Sequence, residues 1–158
     1  MNTSTSHALK LTPYTRDCLD KSWNWLRDPE IRALTMTPSF TREEQLRFFE
    51  ALPARAGYDI WGVEVDGAVV GAAGLKNVRG SLAEYWGYIG ERGLWGKGIG
   101  KQLMRAIEAQ ALAKGYTTLD LKVSVANPRA IALYKAMGYH EDVETSDAEV
   151  MRMLKELA

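Results

Sequence analysis

The sequence predicts a single α/β domain, α+β in its detail, with helices packed on a mixed central sheet. Three observations predict it. The elements run strand, two helices, three strands, helix, strand, helix, two strands. Asp66-Gly67 joins two of the strand-like runs as a hairpin. The chain is also long enough, at 158 residues and 46% hydrophobic, to bury one real core. Six to seven strands and about four helices are expected within residues 8–158. Residues 1–7 read as a frayed, disordered tail.

Each element has a local reason. Ala8 to Leu11 is a short apolar strand. Thr15 to about Leu26 is helical, with Leu19, Trp23 and Leu26 on one face. Asp28-Pro29 interrupts that pattern, and Glu30 to Leu34 adds a further turn of helix. Thr41-Arg42-Glu43-Glu44 is a capping box that starts a helix through about Leu52, and Pro53 ends it. Tyr58 to Val65 and Ala68 to Leu75 are the hairpin strands, and Leu82 to Ile89 is a third, aromatic-rich strand. A long helix spans Gly98 to Lys114, with Ile99, Leu103, Ala106, Ile107 and Ala111 on its core face and Gly115 as its stop. Thr117 to Val125 is a β-branched strand. Asn127-Pro128 caps and opens a helix that runs to about Met137, and Gly138 stops it. Tyr139 to Glu144 and Glu149 to Leu154 are weaker strands, and the composition of the second suits a helix equally.

Composition excludes several classes of function. Twenty basic and twenty acidic residues cancel, which leaves no bulk drive toward nucleic acid or anionic membrane. No apolar run approaches a membrane span. The N-terminal residues lack the charged start and apolar stretch of a secretion signal, so the cytoplasm is the default location. One cysteine, Cys18, allows no internal disulfide, and two histidines add too little for a structural zinc site. Cys18 reads as a small buried hydrophobe.

The chemistry concentrates in Arg92-Gly93-Leu94-Trp95-Gly96-Lys97-Gly98-Ile99-Gly100-Lys101. Glycines at 96, 98 and 100 let the backbone bend closely around a ligand. The helix that follows offers unpaired N–H groups and the positive end of its dipole. Arg92, Lys97 and Lys101 add charge, so the stretch is a seat for phosphate or diphosphate. It is not a Walker A loop, because Trp95 and Gln102 occupy the positions that need glycine and a hydroxyl. It is not a dinucleotide fingerprint either, because Lys101 stands at the third glycine.

A second motif, Asn127-Pro128-Arg129-Ala130-Ile131-Ala132-Leu133-Tyr134-Lys135-Ala136-Met137-Gly138-Tyr139, follows a strand. With it the chain resembles the GCN5-related N-acetyltransferase (GNAT) superfamily. The family's cofactor loop, Gln/Arg-x-x-Gly-x-Gly/Ala, matches 95–100 except at Trp95. Its downstream signature, Asn-x-x-Ala-x-x-Leu-Tyr-x-x-x-Gly-Phe, matches except that Tyr139 replaces Phe. The similarity runs from about Leu9 to Leu154 and is closest to the ribosomal-protein and amino-sugar N-acetyltransferase subgroup.

The resemblance implies acetyl-CoA as donor and a primary amine as acceptor. It also implies a sheet splayed between its fourth and fifth strands, where the pantetheine arm pairs with backbone near Ile89. An alkyl amine has a pKa of about 10.4, so on the order of one part in a thousand is neutral at pH 7. A base, or a pocket that lowers that pKa, is therefore required. Glu84 is the base candidate; it lies 11 residues ahead of Trp95, the spacing of the histone-acetylating branch. Tyr134 is the candidate acid for the departing thiolate, and Asn127 caps its helix while contacting the cofactor arm. Trp95 either packs or meets the cofactor. Trp25, Arg27 and Phe40 are the candidate acceptor contacts. The expected acceptor is a small amine or amino sugar. A protein N-terminus or a non-catalytic acyl-CoA sensor are the alternatives, and a homodimer is possible.

Overall fold

The computed structural model describes residues 7–157. Seven strands form one sheet in the order β1-β2-β3-β4-β5-β7-β6. They are β1 (Leu9–Pro13), β2 (Asp59–Val65), β3 (Ala68–Arg79), β4 (Leu82–Ile89), β5 (Thr118–Ser124), β6 (His140–Glu141) and β7 (Val150–Glu156). Five α-helices accompany them: α1 (Arg16–Trp25), α2 (Pro29–Thr35), α3 (Arg42–Ala51), α4 (Ile99–Ala113) and α5 (Pro128–Ala136). Every neighbouring pair of strands is antiparallel except β4 and β5.

Local signals explain most boundaries. Thr41 and Glu44 exchange both capping bonds, at 3.1 and 2.8 Å. Asp28 breaks the first helical run by capping the next one, through a 2.9 Å bond from the Glu30 N–H. Residues 1–6 of the expected tail lie outside the described residues. His7, its last residue, is held by Asp66 at 2.7 Å and by Gln102 on its carbonyl at 2.6 Å.

Two expectations are corrected, and one left open between strand and helix is decided. The buried face of α1 is Cys18, Leu19, Ser22 and Trp25, one residue round from the face drawn through Trp23 and Leu26. Packing against β3 and β4 selects that face, and apolar periodicity alone could not. Strand β3 runs on to Arg79, past Asn77 in a left-handed conformation (φ 47°) and a register shift against β4. The segment 150–156 is a strand because β5 pairs with it along its length, which overrides its mild helix preference.

The core lies between the sheet and α4, where Ile99, Leu103, Met104, Ile107 and Ala111 are buried against Leu75, Tyr85, Leu119 and Leu121. The parallel contact of β4 with β5 is short: Leu82–Glu84 pair with Thr118–Asp120, and no pair follows. Beyond it β4 stays with β3 to Ile89, whereas β5 stays with β7 to Ser124. The expected splay is therefore present. Asp120, 2% exposed, pins its start. It accepts two bonds from Arg79 (2.9 and 3.1 Å) and one from Arg152 Nε (2.9 Å). Asp120→Ala would leave the half-buried Arg152 without that partner. It is expected to lower unfolding stability by about 3–5 kcal/mol in urea titration; a loss under about 1 kcal/mol would class the cluster with surface ion pairs.

Candidate active site

Beyond β4, a short 3-10 turn at Arg92–Leu94 leads into a bend through Gly96 (φ 77°) and Gly98 (φ 79°), and α4 follows. Both glycines sit where a side chain is strained, and a Cβ at either would meet nothing within 4 Å. The space over the loop is open. Gly100 has a different reason to be glycine: its Cβ would fall 2.7 Å from Leu133 Cδ2, so it lets α4 lie against α5.

Helices α1, α2, α3 and α5 each start on a side-chain cap, from Thr15, Asp28, Thr41 and Asn127. Helix α4 starts on Gly98 with none. Its first N–H groups therefore lack the partner that the other helices provide, and they face an anion seat. The residues fit a diphosphate through backbone donors. The cations contribute less than their number suggested. Arg92 is ion-paired with Asp28 and Glu30 of the acceptor-side helix, and those carboxylates raise its pKa. Lys97 and Lys101 are exposed and do not line the cavity.

A cavity of about 810 Å³ runs from this loop through the splay to α1, α2 and α3. Ile89, Trp95, Gly96, Ile99, Gly100, Asn127, Tyr134 and Phe40 line it. Gly90 N–H donates to Val70 O at 2.7 Å. By strand alternation Trp86 and Tyr88 also turn their backbone groups toward β3, and Gly87 and Ile89 turn theirs across the gap toward β5. The Ile89 carbonyl is taken by the Trp95 indole N–H at 2.8 Å, which leaves the Ile89 N–H as a donor in the gap. Trp95 thus ties the glycine loop to the splayed strand end. The Arg92 and Arg129 guanidinium carbons lie 5.2 and 6.0 Å from its ring centroid.

Tyr134 stands on α5 at the cleft wall, edge-on to Tyr85 (6.3 Å) and Tyr139 (6.0 Å). Burial pushes its phenol up to about 12, partly opposed by the neighbouring Tyr85 hydroxyl. It therefore holds its proton at any physiological pH. Asn127 lines the same wall while its side-chain oxygen accepts the Ala130 N–H at 3.3 Å.

Glu84, Trp25 and Arg27 stand elsewhere. Glu84 is 7% exposed, accepts from Asn77 Nδ2 at 2.9 Å, and lies 4.0 Å from Lys76 Nζ. It lines a second cavity of about 440 Å³ with Arg79, Asp120, Arg152 and Lys122. Lys76 and Lys122 reach the main cavity, but Glu84 does not line it. Trp25 is buried: its indole donates to Glu91 at 2.7 Å and covers Gly90, whose Cβ would fall 2.2 Å from the ring. It is a prop beneath the end of β4 and not a wall of the cavity. Arg27 is exposed and lies 5.8 Å from the Trp23 ring centroid.

Apart from Phe40, the acceptor-side walls were not read from the sequence. Tyr14 and Tyr88 both donate to Ser22 Oγ, at 3.2 and 2.9 Å, and Phe48, Tyr58 and Trp86 complete an aromatic floor. Strand alternation put Trp86 and Tyr88 on one face. Nothing in the sequence brings Tyr14, Phe48 and Tyr58 to that face.

The splayed parallel pair thus places unpaired backbone groups beside an anion seat at the uncapped, glycine-led start of α4. The model of the acetyltransferase (GNAT) family matches residues 19–139, and the chain belongs to that family. A relative from Escherichia coli (strain K12), named as the uncharacterized N-acetyltransferase YjgM, is 33% identical over 113 residues, covering 66% of this chain and 67% of that one. Among solved structures, spermidine N-acetyltransferase from Vibrio cholerae with CoA and spermine superposes with TM-score 0.84 at 19% identity, over 94% of this chain and 95% of the other. The Campylobacter jejuni N-acetyltransferase PseH with acetyl coenzyme A gives TM-score 0.75 at 20% identity, over 96% and 100%. The protein is an acetyltransferase, and acetyl-CoA is its cosubstrate.

Gly98→Trp should fill the seat over α4 and weaken CoA binding by about 100-fold or more in calorimetry, with the circular dichroism spectrum retained. Unchanged affinity in the folded variant would contradict a backbone-built seat.

Proposed function

We propose that the enzyme acetylates the primary amine of a small molecule by direct attack on the thioester. The observation that carries this reading is the continuous cavity: its cofactor half lies at the splay and α4, and its acceptor half is covered by α1, α2 and α3. Helical cover over the acceptor half suits a small molecule better than an extended protein N-terminus. A proton-bearing Tyr134 in the cavity wall favours catalysis over a sensor role. The structurally similar spermidine N-acetyltransferase from Vibrio cholerae, solved with CoA and spermine, adds general support for an amine acceptor. A cytoplasmic location accords with one unpaired, buried Cys18.

Bound acetyl-CoA supplies an activated acetyl group. The Ile89 N–H, aimed into the gap, donates to the carbonyl oxygen as charge develops there. The amine nitrogen forms the new C–N bond as the C–S bond breaks. Tyr134 gives its proton to the sulfur and is restored by the proton the nitrogen loses. Glu84 takes, through water, the proton that turns the entering ammonium into the free amine, and the second proton, lost once the C–N bond has formed, is the one that restores Tyr134.

Tyr134→Phe removes one hydroxyl and is expected to lower kcat about 100-fold with acetyl-CoA affinity unchanged. In the parent enzyme, kcat should rise with pH and show no alkaline fall through pH 10, because the phenol stays protonated until about pH 12. An undiminished kcat in the variant would leave Tyr134 a packing role. Glu84→Gln should cut kcat/KM about 100-fold at pH 7 and recover as pH rises and the amine loses its proton unaided. A parental pH profile would confine Glu84 to holding Asn77 and Lys76.

A further inference from the structure

The acceptor half of the cavity has a charge and shape that select among amines. Its floor is the row Phe48, Tyr58 and Trp86, with ring centroids 5.7 and 6.4 Å apart. Arg55 stacks 4.3 Å from the Tyr58 centroid and fixes that ring, yet does not itself line the cavity. Phe40 closes a further wall and is braced edge-on by Trp23 at 5.8 Å.

The charged groups lining the cavity among the described residues are Glu30, Glu44, Lys76, Lys122 and Arg129, and the first three are engaged. Glu30 is ion-paired with Arg92. Glu44 accepts the Thr41 N–H in its capping box. Lys76 lies 4.0 Å from Glu84. Arg129 lies by Trp95 on the cofactor side, and no arginine of α1, α2 or α3 lines the cavity. An acceptor carrying a diphosphate would find no guanidinium fork to meet it. A polyamine would bring remote ammonium groups to a floor of rings, with both nearby carboxylates already engaged.

Resting on the acetyl-transfer reading, we propose that the acceptor is a singly charged primary amine on an apolar, ring-sized body: an arylalkylamine. The rings hold the ring-sized body by aromatic contact and burial. The same apolar surroundings lower the amine's pKa and so raise the fraction able to attack.

The test is thiol release from acetyl-CoA by the protein with 2-phenylethylamine, spermidine, a nucleotide-linked amino sugar and a peptide with a free N-terminus. The kcat/KM for 2-phenylethylamine should exceed each of the others by about 100-fold. Phe48→Ala should raise KM for 2-phenylethylamine about tenfold and leave KM for acetyl-CoA unchanged. Preference for spermidine, the amino sugar or the peptide would overturn the arylalkylamine assignment and leave acetyl transfer standing. Acetyl-CoA binding without turnover of any of the four would overturn both.

Discussion

The divergence of β4 from β5 is the constraint on which the rest depends. The two strands share three residue pairs, Leu82–Glu84 with Thr118–Asp120, and then part. Past that point each is hydrogen-bonded on its outer side only. Buried backbone groups rarely stay unpaired, so the inner edges call for a ligand. The surrounding residues hold the gap open. Arg79 and Arg152 clamp Asp120 at its apex. Trp25 packs under Gly90, and the Trp95 indole takes the carbonyl of Ile89 at the far end.

The electrostatics of the cofactor seat rest on backbone more than on side chains. Arg92 is neutralised by Asp28 and Glu30, and Lys97 and Lys101 point to solvent. What remains is the bare N-terminus of α4, whose glycine cap brings no competing oxygen. A side-chain cap would occupy the N–H groups that the diphosphate needs. The Arg92 pairs have a second effect: they link the cofactor loop to α2, which also walls the acceptor half.

The sequence made the cofactor half legible because its signals are local. Glycine spacing, a helix start and the Asn127 cap each lie within a few residues, and strand β4 falls at Leu82–Ile89 as alternation implies. Gly100 was misattributed because a glycine needed for close helix packing looks the same as one needed for a turn. The acceptor half was largely illegible because its walls come from Tyr14, α2, α3, Tyr58 and β4, which only tertiary packing brings together. The same packing turned α1 by one residue, burying Trp25 and keeping it out of the cavity. Glu84 sits on β4 as the spacing implies, but spacing alone does not show that its carboxylate accepts from Asn77 in the neighbouring cavity.

The most direct test of the splay as cofactor seat is amide hydrogen exchange along β4 with and without acetyl-CoA. The account predicts slowed exchange at the Gly87 and Ile89 N–H groups on binding, with little change at Trp86 and Tyr88, which already face β3. Saturating cofactor with no new protection at Ile89 would contradict it.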